Sequence, residues 1–128
     1  MRLLLDTHAL IWWTRLDRRL GRKAAAAIGD EDNEIFVSAI SALEVATKHR
    51  LGKLPEGERW AADFQTELDA EGFVGLPVSV SHAQLAGMMA IPRGDPFDRV
   101  LIAQSILEQM TLVSNEALFD GFGATRLW

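Results

Sequence analysis

The 128-residue chain is 48% hydrophobic and 24% charged, the proportions of an ordinary globular protein rather than of a disordered or membrane-spanning one. It has no cysteine, which excludes disulfides, thiolate catalysis and cysteine-ligated zinc. A net charge of −5 and a pI near 5.1 argue against bulk-charge binding of nucleic acid, so any such partner must be met by local asymmetry. The length suits one domain, residues 1–128, able to bury roughly two-thirds of its unfolded surface. No apolar run approaches the roughly 20 residues of a membrane span, and Met1-Arg2 leads into a strand-like run without a signal-peptide core. The expectation is a cytoplasmic protein with no membrane partner.

Short apolar runs occur at Leu3-Leu4-Leu5, Ile35-Phe36-Val37, Phe73 to Leu76 and Leu112-Val113, with a weaker one near the C-terminus. Runs without polar alternation suit strands buried on both faces of a parallel sheet. Helical segments fall between them. Lys23 to Ile28 is alanine-rich, Ser41 to Leu51 stops at Gly52, and Arg59 to Ala70 stops before Gly72. Ser81 to Ala90 runs up to the Ile91-Pro92 boundary. In Asp95 to Met110, Val100, Ala103, Leu107 and Met110 recur at helical spacing, and Leu101, Ile102 and Ile106 widen the apolar face. Strands alternating with helices predict an α/β fold, a three-layer α/β/α sandwich around a mostly parallel sheet. Ligands then bind at the carboxyl ends of the strands.

Four acids fall at that rim. Asp6 ends the first apolar run and reads either as a carboxylate facing the crevice or as the N-cap of the next helix. Glu44 lies three residues after Ser41, so it reads either as half of a capping box or as a crevice acid. Asp95 is a natural N-cap with Pro96 behind it and Arg99 at pairing distance, whereas Asp98 reads either as the third-position member of a capping box or as a crevice acid opening a mostly apolar helix. Glu116 follows the Leu112-Val113 strand and is either a loop acid or the fourth wall of the crevice. Gathered together, such acids repel. A pair about 4 Å apart costs roughly 4 kcal/mol at an effective dielectric near 20. A proton or a divalent cation relieves that, and an all-oxygen set selects Mg²⁺ or Mn²⁺ over zinc. A cation so held activates water and stabilises phosphodiester displacement. His8, His49 and His82 have no ligand spacing and read as structural or surface residues.

Leu3 to Trp12, Ser38 to Lys48 with its Glu44, and Asp95-Pro96-Phe97-Asp98-Arg99-Val100-Leu101-Ile102-Ala103-Gln104 resemble the PIN-domain family, in particular VapC-type toxins of bacterial toxin–antitoxin pairs. The likeness runs from the first strand to Leu127-Trp128. It implies a Mg²⁺- or Mn²⁺-dependent endoribonuclease, dimerisation, and inhibition by a small cognate antitoxin, alone or within a larger hetero-oligomer. Carried over by position, Asp6 and Asp98 resemble direct metal ligands and Glu44 the third acid. Thr7 and Ser114 resemble the small hydroxyl residues that line such pockets. The family usually has Asp where this chain has Glu116, one methylene longer, which puts direct metal contact by Glu116 in doubt.

Arg15, Arg18, Arg19, Arg22 and Lys23 form one basic cluster and Lys48, Arg50 and Lys53 another. Each reads as a solvated or helix-terminal group, or as a phosphate-tracking rim around the acids. In the pair Trp12-Trp13, one ring suits the core and the other a partner surface. Two other readings compete. A phosphotransferase of the haloacid-dehalogenase kind wants Asp where His8 stands. A catalytically degenerate PIN-like module would bind RNA or a partner without cleaving.

Overall fold

The computed structural model describes residues 1–91 and 95–128. Five strands, β1 (Arg2–Leu5), β2 (Glu34–Ser38), β3 (Val74–Leu76), β4 (Thr111–Val113) and β5 (Thr125–Leu127), form one parallel sheet in the order β3-β2-β1-β4-β5. The central strand is the most apolar. Leu3, Leu4 and Leu5 are fully buried, and alternate side chains feed opposite faces. Leu3 and Leu5 join Ile35, Val37 and Val113 on one side, while Leu4 joins Phe36 and Leu112 on the other. That is why the run shows no polar alternation. Each such leucine contributes roughly 1.5–3 kcal/mol through burial.

Helices cover both faces. Over the first lie α1 (Thr7–Thr14), α2 (Arg22–Gly29), α4 (Glu58–Ala62) and α5 (Phe64–Glu71), which contribute Leu10, Ile28, Trp60 and Leu68. Val45 of α3 (Ala39–Arg50) joins the same cluster. Over the second face, α7 (Pro96–Leu107) places Leu101 and Ile102, and α6 (Val80–Met88) packs along it. The expected three-layer α/β/α architecture is therefore observed. From β1 the chain passes to β2 on one flank, and after β3 it crosses back to β4 on the other. This change of direction opens a crevice beyond the carboxyl ends of β1 and β4.

Four local expectations need correction. The Ser41–Glu44 capping box does not form. The N-cap is Ser38, whose Oγ accepts from the Ile40 N–H at 3.0 Å, so Ser41 and Glu44 lie inside α3. Arg59 to Ala70 is two helices, because Asp63 accepts from the Thr66 N–H at 3.1 Å and starts a second one. β3 is a sheet edge, and Val74 is 42% exposed rather than buried. Arg99 donates to the Ile91 carbonyl at 3.1 Å instead of pairing with Asp95. The Ser81-to-Ala90 segment is helical to Met88, and Pro92 lies outside the described residues.

Gly52 does terminate α3 as its position predicts. Its N–H donates to the His49 carbonyl at 3.0 Å and that of Lys53 to Lys48 at 2.8 Å, with Gly52 at φ 74°. A Cβ at Gly52 would meet nothing within 4 Å, so only backbone strain opposes a side chain there. Gly52→Ala is expected to lower stability by about 1–2 kcal/mol, measured by urea denaturation. An unchanged midpoint would contradict this account of the helix end.

Candidate active site

Asp6 follows β1 directly, and its backbone N–H donates to the Val113 carbonyl at 3.0 Å, locking it beside β4. One carboxylate oxygen accepts from the Ala9 N–H at 2.7 Å. The capping and crevice readings are thus both satisfied by one side chain. Asp6 is 7% exposed. Burial raises its pKa most, and the Glu44 charge raises it further; hydrogen bonds from the Ser114 hydroxyl and the Ala9 N–H, and the nearby His8, act in the opposite direction. The net direction is upward.

Glu44 sits on the second turn of α3, 5% exposed, and faces the same crevice. The Thr7 hydroxyl donates to Glu44 Oε1 at 2.5 Å and lies 3.0 Å from the Ser41 hydroxyl. Lys48, one turn along α3, places its ammonium on Glu44 Oε2. Sequence reasoning assigns Lys48 only to a basic rim or a helix end. The Glu-to-Lys spacing of four residues is the signal for this inward pairing.

Asp98 occupies the third position of α7, where its backbone N–H donates to Asp95 Oδ1 at 2.8 Å. Asp95 is therefore the cap, which leaves the Asp98 carboxyl facing the crevice. Its pKa is pushed up to about 7, mostly by burial and then by the charges of Asp95, Glu44, Asp6 and Glu116. Glu116 is exposed, and its N–H donates to Ser114 Oγ at 3.0 Å. Its charge reaches Asp98 from the outer rim.

Asp6, Glu44, Asp98 and Glu116 line one cleft of about 200 Å³, together with the capping Asp95 and with Thr7, His8, Lys48 and Asn115. Ser114 stands behind it, fully buried. The donor set is oxygen, as a hard divalent cation requires. The acids ring the cleft without meeting at one point. Among the described residues, no three acidic or histidine side chains form a ready-made ligand shell. Glu44 in particular is turned onto Thr7 and Lys48. A larger hollow of about 610 Å³ lies at the opposite ends of the strands, but its acids Asp30, Glu31, Asp32, Glu34 and Glu71 are exposed groups in a loop, at helix ends or at the start of β2.

The remaining candidates separate clearly. His82 is buried and caps α6, with Nε2 2.9 Å from Glu108. His8 is exposed at the mouth of the cleft. Arg15, Arg18, Arg19, Arg22 and Lys23 are all exposed, as are Arg50 and Lys53. Trp12 and Trp13 do not divide into core and surface; both are half-buried against the first core.

A carboxyl whose folded pKa lies above its unfolded 3.8 stabilises the fold when protonated, and that contribution is lost as pH rises toward 7. Asp98→Asn, which mimics the protonated form, should therefore leave metal-free stability nearly unchanged at pH 4. At pH 8 it should raise stability by roughly 1–2 kcal/mol, a value discounted for the water that reaches this carboxyl. Equal effects at both pH values in thermal melts would contradict the shift.

Comparison with known proteins bears out the motif-based resemblance. The PIN domain family model matches residues 3–123. The chain is 31% identical over 113 residues to Ribonuclease VapC22 of Mycobacterium tuberculosis, covering 88% of this chain and 85% of that protein. Its fold is similar to that in the crystal structure of VapBC2 from Rickettsia felis bound to a promoter DNA fragment, with a TM-score of 0.71 and 16% identity over 99% of this chain and 98% of that one. It is also similar to a chain of a toxin-antitoxin complex from Klebsiella pneumoniae, with a TM-score of 0.65 and 20% identity over 98% and 96% of the two chains. With its sheet order, its switch-point cleft and a family match spanning nearly all residues, this chain belongs to the PIN-domain family.

Proposed function

We propose that this protein is a Mg²⁺- or Mn²⁺-dependent endoribonuclease and the toxin of a cytoplasmic toxin–antitoxin pair. The observation that carries the reading is the cleft itself: five acids, Asp6, Glu44, Asp95, Asp98 and Glu116, line one crevice at the topological switch point. The relative named Ribonuclease VapC22 supports RNA as substrate. Fold likeness to chains of toxin–antitoxin complexes supports a small antitoxin as partner, with a homodimer or larger hetero-oligomer as the assembly. No helix among the described residues is long and apolar enough to cross a membrane.

In this reading Asp6 and Asp98 would hold the cation, Glu44 would be the third acid, and Glu116 would contribute from the rim. When bound, the cation supplies Lewis-acid activation of water and charge neutralisation at the phosphodiester. The Thr7 hydroxyl orients Glu44, and the Ala9 N–H orients Asp6. Asp98, its pKa raised to about 7, still carries part of its proton at neutral pH, and the cation would have to displace it. Lys48 offsets part of the carboxylate charge that an RNA phosphate would otherwise face.

The test is cleavage of folded RNA by the purified protein with Mg²⁺ or Mn²⁺, abolished by EDTA. Asp98→Asn is expected to lower the rate by roughly a hundredfold or more, the scale of losing one group that stabilises developing charge, with the fold intact by circular dichroism. Glu116→Gln should cost less than tenfold. Full activity in Asp98→Asn, or cleavage indifferent to EDTA, would overturn the assignment. RNA binding without cleavage by the wild type would mark a binding module instead.

A further inference from the structure

The mouth of the cleft carries a feature that the carboxylates do not explain. His8 and Trp12 stand one turn apart on α1, and their rings stack at a centroid distance of 5.5 Å and an interplanar angle of 20°. Trp12 is anchored in the first core, and the Trp128 ring meets it at 5.8 Å and 65°. The Arg19 guanidinium lies 5.1 Å from the Trp12 ring centre and is itself held by Asp17 at 2.7 Å. Gly21 leaves room for this assembly, since a Cβ there would come within 3.1 Å of Trp128 Nε1. The stack is therefore pre-arranged. Its outermost member, His8, is exposed, lines the cleft and lies two residues from Asp6.

A planar ring held rigid at the rim of an anionic cleft is poor at attracting phosphate but well suited to the face of a nucleobase. Arg15, Arg18 and Arg22, in the chain segment that follows α1, are exposed and offer charge to a nucleic-acid backbone. We propose that His8, backed by Trp12 and Arg19, is a base-stacking platform that positions an unpaired nucleotide beside the phosphate to be cut. The proposal rests on the nuclease reading above. It assigns His8 to substrate positioning rather than to proton transfer. Substrates would then need an unstacked nucleotide flanking the cut, because a base within a duplex has no free face to offer.

The experiment uses an RNA that the wild type cleaves, remade with single abasic nucleotides at each position around the cut. Single-turnover cleavage is measured over a range of enzyme concentration. One flanking abasic site is expected to raise the half-saturating concentration for the wild type by about tenfold, the effect of losing one stacked base. His8→Ala should show the same loss on intact RNA and no further loss at that abasic position. His8→Phe should restore both the affinity and the abasic penalty. An abasic penalty equally large in His8→Ala, or a His8→Ala defect that no abasic position removes, would overturn the platform and leave the nuclease reading standing. Failure of the wild type to cleave any RNA would overturn both. Thermal melts of the two variants keep a folding defect separate from a lost contact.

Discussion

The structure is organised around a local electrostatic conflict. The strands at the centre of the core, β1 and β4, end at the place where five carboxylates gather. Because Leu3, Leu4 and Leu5 are buried on both faces, β1 has no freedom to carry Asp6 out toward water. The charge must be accommodated where it stands. A domain of ordinary stability has only about 5–15 kcal/mol in hand, so several unrelieved acids would consume much of it.

Each acid is relieved by different means. Asp6 takes a hydrogen bond from the N-terminus of α1. Glu44 takes one from Thr7 and an ammonium from Lys48. Asp98 tends to keep its proton near neutral pH. Glu116 stays exposed to water. These contacts are the chemistry by which helices start and pack, used at a cleft. The N-terminus of α1 and the first turn of α7 both direct positive dipole ends at the acids. A divalent cation would take the place of the proton on Asp98, so its binding would release that proton and strengthen as pH rises.

Much of this was legible in the sequence, for reasons that can be named. The apolar runs of β1, β2 and β4 are unbroken because both faces of those strands are covered. Asp6, Glu44, Asp98 and Glu116 stood out because they fall where strands end or helices begin, and the fold brings all four to one cleft. The misreadings share a cause, since local motifs have competing solutions that only packing decides. Ser41 and Glu44 have capping-box spacing, but Ser38 at the end of β2 takes the cap first. Asp63 looks like a polar helix position and is instead the start of a second helix. Lys48 has the composition of a helix C-terminus, and its pairing with Glu44 follows from their four-residue spacing within α3, a signal that the helix-end reading passed over. β3 has an apolar pattern yet lies at an edge, because strand order cannot be read from hydrophobicity.

The central claim is that the cleft stores carboxylate charge that a divalent cation relieves. It is tested most directly by ¹³C NMR titration of the Asp98 carboxyl, assigned through Asp98→Asn, with and without Mg²⁺. The account predicts a midpoint near 7 in the metal-free protein, falling well below that when Mg²⁺ is present. A midpoint close to 4 without metal, or one that Mg²⁺ leaves unmoved, would contradict it.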